Sequence, residues 1–130
     1  MAVEFKAAHR YARMAPRKAS GVMDLIRGMP AGRALDQLRN DKRRSAYLVH
    51  KVLASAVANA LQNPDVRPNR LVVSKSMVQQ GPLLQGRTRF RPGPMGRAMP
   101  FRRLTCHLHV HVEDPGVTAG SAASTETAED

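Results

Sequence analysis

The segment Leu104–Val112 has the most restrictive pattern in the chain. Its apolar residues alternate strictly with polar ones: Leu104, Cys106, Leu108, Val110 and Val112 stand between Thr105, His107, His109 and His111. Successive side chains of a β-strand point to opposite faces, so the pattern predicts a strand that is buried on one face. Leu71–Val78 is rich in β-branched and apolar residues, as strands are. The two segments are predicted to pair as a long antiparallel hairpin.

Three helices are predicted in the first half of the chain, over Pro16–Gly28, Pro30–Leu38 and about Lys42–Leu61. In each of them, apolar residues recur at helical spacing and form one face. Proline is tolerated in a first turn and glycine is common just after a last turn. Asp41 is the predicted N-cap of the third helix. Val3–Arg13 alternates weakly, which indicates a further strand.

The segment Gly81–Pro100 joins the two strands of the predicted hairpin. It contains four Gly, four Pro, four Arg and no acidic residue. A connection of this length with no core of its own is unusual in a compact domain, and it indicates either a function or disorder.

Arginines give that segment its predicted chemistry. Arg87, Arg89 and Arg91 recur at every second residue, so in an extended chain they project to one side. Guanidinium groups bind phosphate through paired hydrogen bonds, and Phe90 among them offers a surface on which an unpaired base can stack. A solvated basic loop is the alternative interpretation. RNA contact is favoured because the rest of the chain is basic as well.

Charge is distributed unevenly along the chain, whose net charge is +11 and whose pI is near 11.2. Residues 1–112 hold all 21 Lys and Arg, and there is no acidic residue from Val66 to Val112. Such an excess favours a polyanionic partner. Residues 113–130 reverse the sign, and 114–130 are small, polar and acidic, which predicts a disordered tail.

A second basic set lies near the N-terminus, at Lys6, Arg10, Arg13, Arg17 and Lys18. Arg17 and Lys18 fall at a predicted helix N-terminus, where cations are electrostatically disfavoured. A phosphate bound there would account for them, since helix N-termini bind anions well. Ordinary surface charge is the alternative.

Several classes of protein fit the sequence poorly. No apolar run approaches the ~20 residues of a membrane span, and the first residues have no apolar core of a signal peptide. One cysteine cannot form an internal disulfide, which indicates a reducing compartment. Pro16–Gly28 and Pro30–Leu38 would permit a DNA-binding helix-turn-helix, but the second helix offers few side chains that read bases.

Catalytic and metal chemistry find little support. His107, His109 and His111 would share one strand face and are candidate zinc ligands. No second cysteine is near in sequence, so a polar sheet face is favoured and no cofactor is expected. Cys106 is predicted to be a buried, unreactive thiol. No catalytic arrangement stands out, which predicts that the chain is not an enzyme.

Five stretches of the sequence carry a resemblance to a known family. They are ARMAPRKASGVMDLIRG (Ala12–Gly28), LVHKVLASAVANALQN (Leu48–Asn63), VVSKSMVQQGP (Val72–Pro82), GRA (Gly96–Ala98) and HLHVHV (His107–Val112). Their order and spacing are similar to those of the large-subunit ribosomal protein family conventionally numbered twenty-two, in its bacterial form. Each stretch is a weak signal alone, but together they are specific and cover nearly all of residues 5–112.

The resemblance implies an α+β fold, with three helices packed on a small antiparallel sheet and a long protruding β-hairpin. A single domain would span 1–113, with the hairpin at about 78–104 and its tip at 85–98. The implied function is that of a structural constituent of the large ribosomal subunit in the cytoplasm. The protein would bind and organise large-subunit ribosomal RNA (rRNA) during assembly and extend the hairpin along the polypeptide exit tunnel.

The implied partners are large-subunit rRNA, neighbouring ribosomal proteins of that subunit and the nascent polypeptide passing the tip, with no membrane partner. The residues predicted to bind rRNA, from the charge pattern and the resemblance together, are Lys6, His9, Arg10, Arg13, Arg17, Lys18, Lys75, Arg87, Arg89, Phe90, Arg91, Arg97, Arg102 and Arg103.

The sequence departs from the family pattern at the hairpin. The segment before Gly96–Ala98 is a few residues longer, its tip RPGPMGRA is richer in Pro and Gly, and Leu104 and Cys106 replace a basic residue and a serine. Two other functions stay open at this point. One is a free nucleic-acid-binding module, such as a DNA-compacting protein or an RNA chaperone, and the other is a small zinc enzyme that uses the three histidines.

Overall fold

A computed structural model describes residues 2–118 and shows an α+β fold. Its strands are β1 (Ala2–Ala12), β2 (Val72–Leu83), β3 (Arg89–Pro92), β4 (Ala98–Phe101) and β5 (Leu104–Thr118), and its helices are α1 (Pro16–Ile26), α2 (Ala31–Asn40) and α3 (Arg44–Leu61). Short 3₁₀ turns lie at Pro68–Arg70, Leu84–Gly86 and Pro94–Gly96. Three helices pack against an antiparallel sheet, so the predicted fold class is confirmed.

The central strand of the sheet is β5, which pairs antiparallel with β1 on one side and β2 on the other. Phe5 and Val73 both lie opposite Val112, and Val78 lies opposite Leu108. The predicted alternation holds, because the inward-facing residues of β5 from Cys106 to Val112 are fully buried. The weak pattern at the N-terminus also forms the predicted strand.

The core lies between the sheet and the helices. Helix α3 packs on β1 and β5, and α1 packs on β2. Small residues such as Ala19, Ala34, Ala46, Ala56 and Ala60 are fully buried, so the helices approach the sheet closely. Large side chains then fill the remaining space: Met23, Ile26 and Leu53 are among the largest that are fully buried.

The loop between α1 and α2 covers the open edge of β2. The Gly28 amide donates to the Val73 carbonyl at 3.0 Å, and the Val73 amide donates to the Met29 carbonyl at 2.9 Å. Gly28 has a φ of 80°, a conformation that favours glycine after a helix. The residue that ends α1 therefore also positions the loop that protects this edge.

The break between α2 and α3 differs from the prediction. Arg43, not Asp41, is the N-cap of α3, and Asp41 ends α2. The Asp41 carboxylate accepts hydrogen bonds from the Arg43 amide at 2.9 Å and from its guanidinium at 2.8 Å. These bonds lower the pKa of Asp41. The predicted N-cap was wrong because the Asp41 carboxylate binds Arg43, the residue just before α3. It accepts no described hydrogen bond from an amide in the first turn of α3.

The start of the predicted tail is also ordered, as Asp114–Thr118 belong to β5. The buried Asp114 carboxylate accepts hydrogen bonds from the Arg67 amide at 3.0 Å and the Gly116 amide at 2.9 Å. It also pairs with Arg70 at 3.2 Å. A disordered tail starting at 114 was wrong because these partners, remote in sequence, satisfy the buried charge. Residues 119–130 lie outside the described part.

The hairpin continues well beyond the three-stranded sheet. Strands β2 and β5 pair out to Leu83 and Leu104, and β3 then pairs antiparallel with β4. The turn at the end is Gly93–Arg97, closed by a hydrogen bond from the Gly93 amide to the Arg97 carbonyl at 2.6 Å. It is shorter than the predicted tip of 85–98, because β3 lies within that range and β4 begins at its last residue.

We expect Asp114→Asn to lower the free energy of unfolding at neutral pH. We also expect this free energy to depend less on pH in the acidic range. Burial raises the pKa of Asp114. Hydrogen bonds from the Arg67 and Gly116 amides and the charge of Arg70 lower this pKa by more than burial raises it, so the net shift is downward from 3.8. The ionised group thus stabilises the fold at pH values above 3.8, and this contribution is lost as the pH falls through the lowered pKa.

Urea unfolding from pH 7 to pH 2 checks this expectation. The matched control is Asp65→Asn, since Asp65 is exposed and only its backbone takes part in the described hydrogen bonds. Equal pH profiles for the wild type and Asp114→Asn would contradict the assigned role of this carboxylate.

Candidate nucleic-acid interface

A basic concavity of about 800 Å³ lies between the N-termini of α1 and α3 and the base of the hairpin. Its neutral lining includes Met14, Ala15, Leu84 and Leu104. No acidic residue lines it. Anionic ligands are therefore strongly favoured there. Its cationic lining comprises seven residues: Arg13, Arg17, Lys18, Arg43, Arg44, Arg102 and Arg103.

Two helix N-termini open onto this concavity, and both lack the usual caps. The N-cap residues are Ala15 for α1 and Arg43 for α3, and neither makes a side-chain capping hydrogen bond. Neither first turn contains an acidic residue. First-turn amides without helical partners carry partial positive charge. A phosphate group would satisfy the amides and the surrounding cations together.

Five of the predicted site residues meet in the concavity. Arg13, Arg17 and Lys18 come from the segment around the start of α1, and Arg102 and Arg103 come from the short link between β4 and β5. They are distant in sequence and adjacent in space. Arg43 and Arg44 were missed; the signal available in the sequence was the run Lys42–Arg44 just before an apolar helix pattern.

Other predicted residues lie away from the concavity, on or near the sheet. Lys6 and Arg10 are exposed on β1, and His9 is half-buried opposite Leu108. Lys75 on β2 already has a carboxylate partner, since its Nζ lies 3.2 Å from Glu4 Oε1. His111 Nδ1 lies 3.1 Å from Glu4 Oε2, and hydrogen bonds from His111 and Lys75 lower the pKa of Glu4.

The three histidines of β5 project from the outer face of the sheet without converging. His107 Nδ1 accepts a hydrogen bond from the Tyr11 amide at 3.0 Å, and His111 pairs with Glu4. Burial, followed by charge from His107, His111 and Arg10, lowers the pKa of His109. Within residues 2–118, no group of three His, Cys, Asp or Glu side chains is placed to hold a metal ion.

Cys106 lies on the opposite, inner face of β5. The residue is fully buried, and burial raises the pKa of its thiol. A thiol that stays protonated is a poor nucleophile. The prediction that Cys106 is buried is confirmed.

The hairpin carries the remaining predicted residues. Arg89 and Arg91 lie on one face of β3, whereas Phe90 lies on the other and is 65% exposed. Arg87 and Arg97 are exposed on either side of β3. The Arg91 and Arg103 guanidinium carbons lie 4.3 Å and 5.2 Å from the centre of the Phe101 ring. Phe101 was not among the predicted residues, because its nearer cation, Arg91, lies on the far side of the hairpin turn along the chain.

The sequence of the chain is similar to those of a known protein family. The model of the family "Ribosomal protein L22p/L17e" matches residues 7–113. The chain belongs to the ribosomal protein L22p/L17e family. Two L22p/L17e relatives are "Large ribosomal subunit protein uL22" of Solibacter usitatus, 43% identical, and its namesake of Fusobacterium nucleatum, 45% identical. Each alignment covers 86% of this chain, and 97% and 98% of the respective relatives.

Membership of the L22p/L17e family confirms the resemblance seen in the sequence. The chain is a structural constituent of the large ribosomal subunit and is located in the cytoplasmic ribosome. Among the described residues, no helix is long and apolar enough to cross a bilayer.

We expect the double variant Arg17→Gln/Lys18→Gln to make the free L22p/L17e protein more stable. Both cations lie at the N-terminus of α1 among other cations, so removing them relieves repulsion. The free energy of unfolding should rise by about 0.5–1 kcal/mol at low ionic strength.

Urea unfolding at two salt concentrations measures the effect. Arg39→Gln is the control of opposite sign, because Arg39 lies in the last turn of α2, where a cation is favourable. A double variant less stable than the wild type would show that the two side chains stabilise the free protein.

Proposed function

We propose that this protein binds large-subunit rRNA through the basic concavity and the adjoining hairpin, and that it acts as a scaffold without enzymatic activity. The observation that carries the proposal is the gathering of seven cations, from three separate parts of the chain, around a concavity lined by no acidic residue. Family membership supplies the partner, since the matched relatives are named as proteins of the large ribosomal subunit.

The proposed mechanism is neutralisation of phosphates. Arginine forms paired hydrogen bonds with phosphate oxygens, and each neutralised phosphate releases counterions, which makes binding strongly salt-dependent. The concavity joins the N-terminal segment, the start of α3 and the base of the hairpin. RNA bound there would therefore contact all three of these parts at once. The protein would in this way hold the bound RNA in a defined arrangement during assembly.

We further propose that the hairpin extends along the polypeptide exit tunnel. Paired strands continue out to the Gly93–Arg97 turn, so the arm has a defined direction. Arg87, Arg89, Arg91 and Arg97 would contact the RNA of the tunnel wall. Met95 is 96% exposed at the end of the arm, where a nascent polypeptide would pass. Neighbouring proteins of the large subunit are the remaining proposed partners.

The tip depends on close backbone packing at one glycine. A Cβ atom at Gly93 would lie 2.7 Å from Met99 Cγ and 3.0 Å from the Arg97 carbonyl oxygen. The glycine thus allows the narrow turn to close, which supports a role in which a thin arm enters a confined space.

Ultraviolet crosslinking in cells, combined with sucrose-gradient sedimentation, tests the proposed function. We expect most crosslinked reads of the wild type to map to large-subunit rRNA and the protein to sediment with that subunit. The triple variant Arg87→Ala/Arg89→Ala/Arg91→Ala should keep a normal circular dichroism spectrum but lose hairpin crosslinks and assemble less efficiently.

The matched control is the triple variant Arg33→Ala/Arg39→Ala/Lys42→Ala, which removes the same charge from exposed positions outside the concavity and the hairpin. It should assemble normally. Reads scattered over many RNAs or DNA, with the wild-type protein near the top of the gradient, would instead support a free nucleic-acid-binding module. Normal assembly and unchanged crosslinks of the hairpin variant would contradict the proposed role of the hairpin arginines.

A further inference from the structure

Two arginines from different segments share one aromatic ring at the base of the hairpin. The guanidinium carbon of Arg91, on β3, lies 4.3 Å from the centre of the Phe101 ring, and that of Arg103 lies 5.2 Å from it. Both distances are within the range of cation–π attraction. Two like charges thus contact the same ring, although they lie on opposite sides of the Gly93–Arg97 turn.

The cluster lacks a negative partner of its own. There is no acidic residue from Val66 to Val112, and the ion pairs of the described residues involve neither Arg91 nor Arg103. A third cation, Arg89, lies directly opposite Phe101 in the strand register. Attraction to one ring offsets only part of the repulsion among such groups, so an anion completes the arrangement.

The position of the ring links the two parts of the interface. Arg103 also lines the basic concavity, whereas Arg91 belongs to the outer part of the hairpin. A polyanion that leaves the concavity toward the hairpin would therefore reach both guanidinium groups at this one ring.

We propose that Phe101 is a positioning residue, which holds Arg91 and Arg103 as a single clamp for a phosphate group of an RNA backbone. The clamp rests on the proposed rRNA binding and adds a specific site to it. By fixing two long side chains before binding, the ring reduces the conformational entropy that each would lose on contact with phosphate.

Tyr47 provides a matched control outside the proposed interface. Its side chain is 62% exposed on α3, and the Lys51 Nζ lies 4.9 Å from the centre of its ring. It belongs neither to the lining of the concavity nor to the hairpin. Replacement of Tyr47 removes an aromatic ring with a cation–π contact and leaves the clamp intact.

The test is filter binding of the full-length protein to protein-free large-subunit rRNA purified from bacterial ribosomes, over a series of KCl concentrations. Phe101→Leu should weaken binding about threefold to tenfold and lower the slope of log affinity against log salt by about 1. Phe101→Tyr, which keeps the ring face, should restore both values. Tyr47→Leu should leave both values unchanged.

If Phe101→Leu fails to fold, a double-mutant cycle of Arg91 and Arg103 that retains Phe101 tests the clamp instead. The losses of affinity caused by Arg91→Gln and Arg103→Gln should be non-additive when Phe101 is present. Additive losses, or a Phe101→Leu variant that folds and binds with the affinity and salt slope of the wild type, would overturn the clamp while leaving the proposed rRNA binding in place. Failure of the wild type to bind this RNA would instead overturn the proposed function.

Discussion

Burial of the inner face of β5 is the interaction on which the rest of the structure depends. Both other strands of the main sheet pair with β5, and its residues from Cys106 to Val112 form the floor against which the helices pack. The same strand begins at the base of the hairpin and ends beyond the buried Asp114. One continuous element therefore anchors the arm at one end and closes the domain at the other. A substitution that weakens the packing of β5 would therefore disturb the base of the hairpin as well as the core.

Around that core, carboxylates and cations have separate roles. The described carboxylates that form ion pairs hold structural elements: Asp114 binds Arg70, Asp41 binds Arg43, Glu4 binds Lys75 and His111, and Asp24 binds Arg27. The hairpin has no acidic residue at all. Cations are therefore partly neutralised where the fold needs them, and they remain without carboxylate partners along the hairpin arm. Repulsion among these cations lowers the stability of the free protein, and a bound polyanion would restore it.

Aromatic residues on the hairpin are divided between its two faces. Phe101 contacts guanidinium groups, whereas Phe90 is largely exposed on the other face. The glycine- and proline-rich segment, for which the sequence indicated either a function or disorder, forms a narrow ladder with a tight turn. The backbone hydrogen bonds of β3 and β4 do not depend on a core. The register of β3 and β4 therefore fixes the positions of the side chains along the hairpin arm.

Much of the fold was predictable because its signals are local. Strict alternation identified β5, helical spacing identified α1, α2 and α3, and motifs spread over the chain indicated the family. The charge pattern also pointed to a polyanionic partner. Tertiary structure alone decided which cations act together: Arg17 meets Arg43 and Arg103 only after the sheet has brought the helix N-termini to the base of the hairpin. It likewise decided the burial of Asp114 and the place of Phe101. These features arise from contacts between residues far apart in sequence, which no local periodicity or composition encodes.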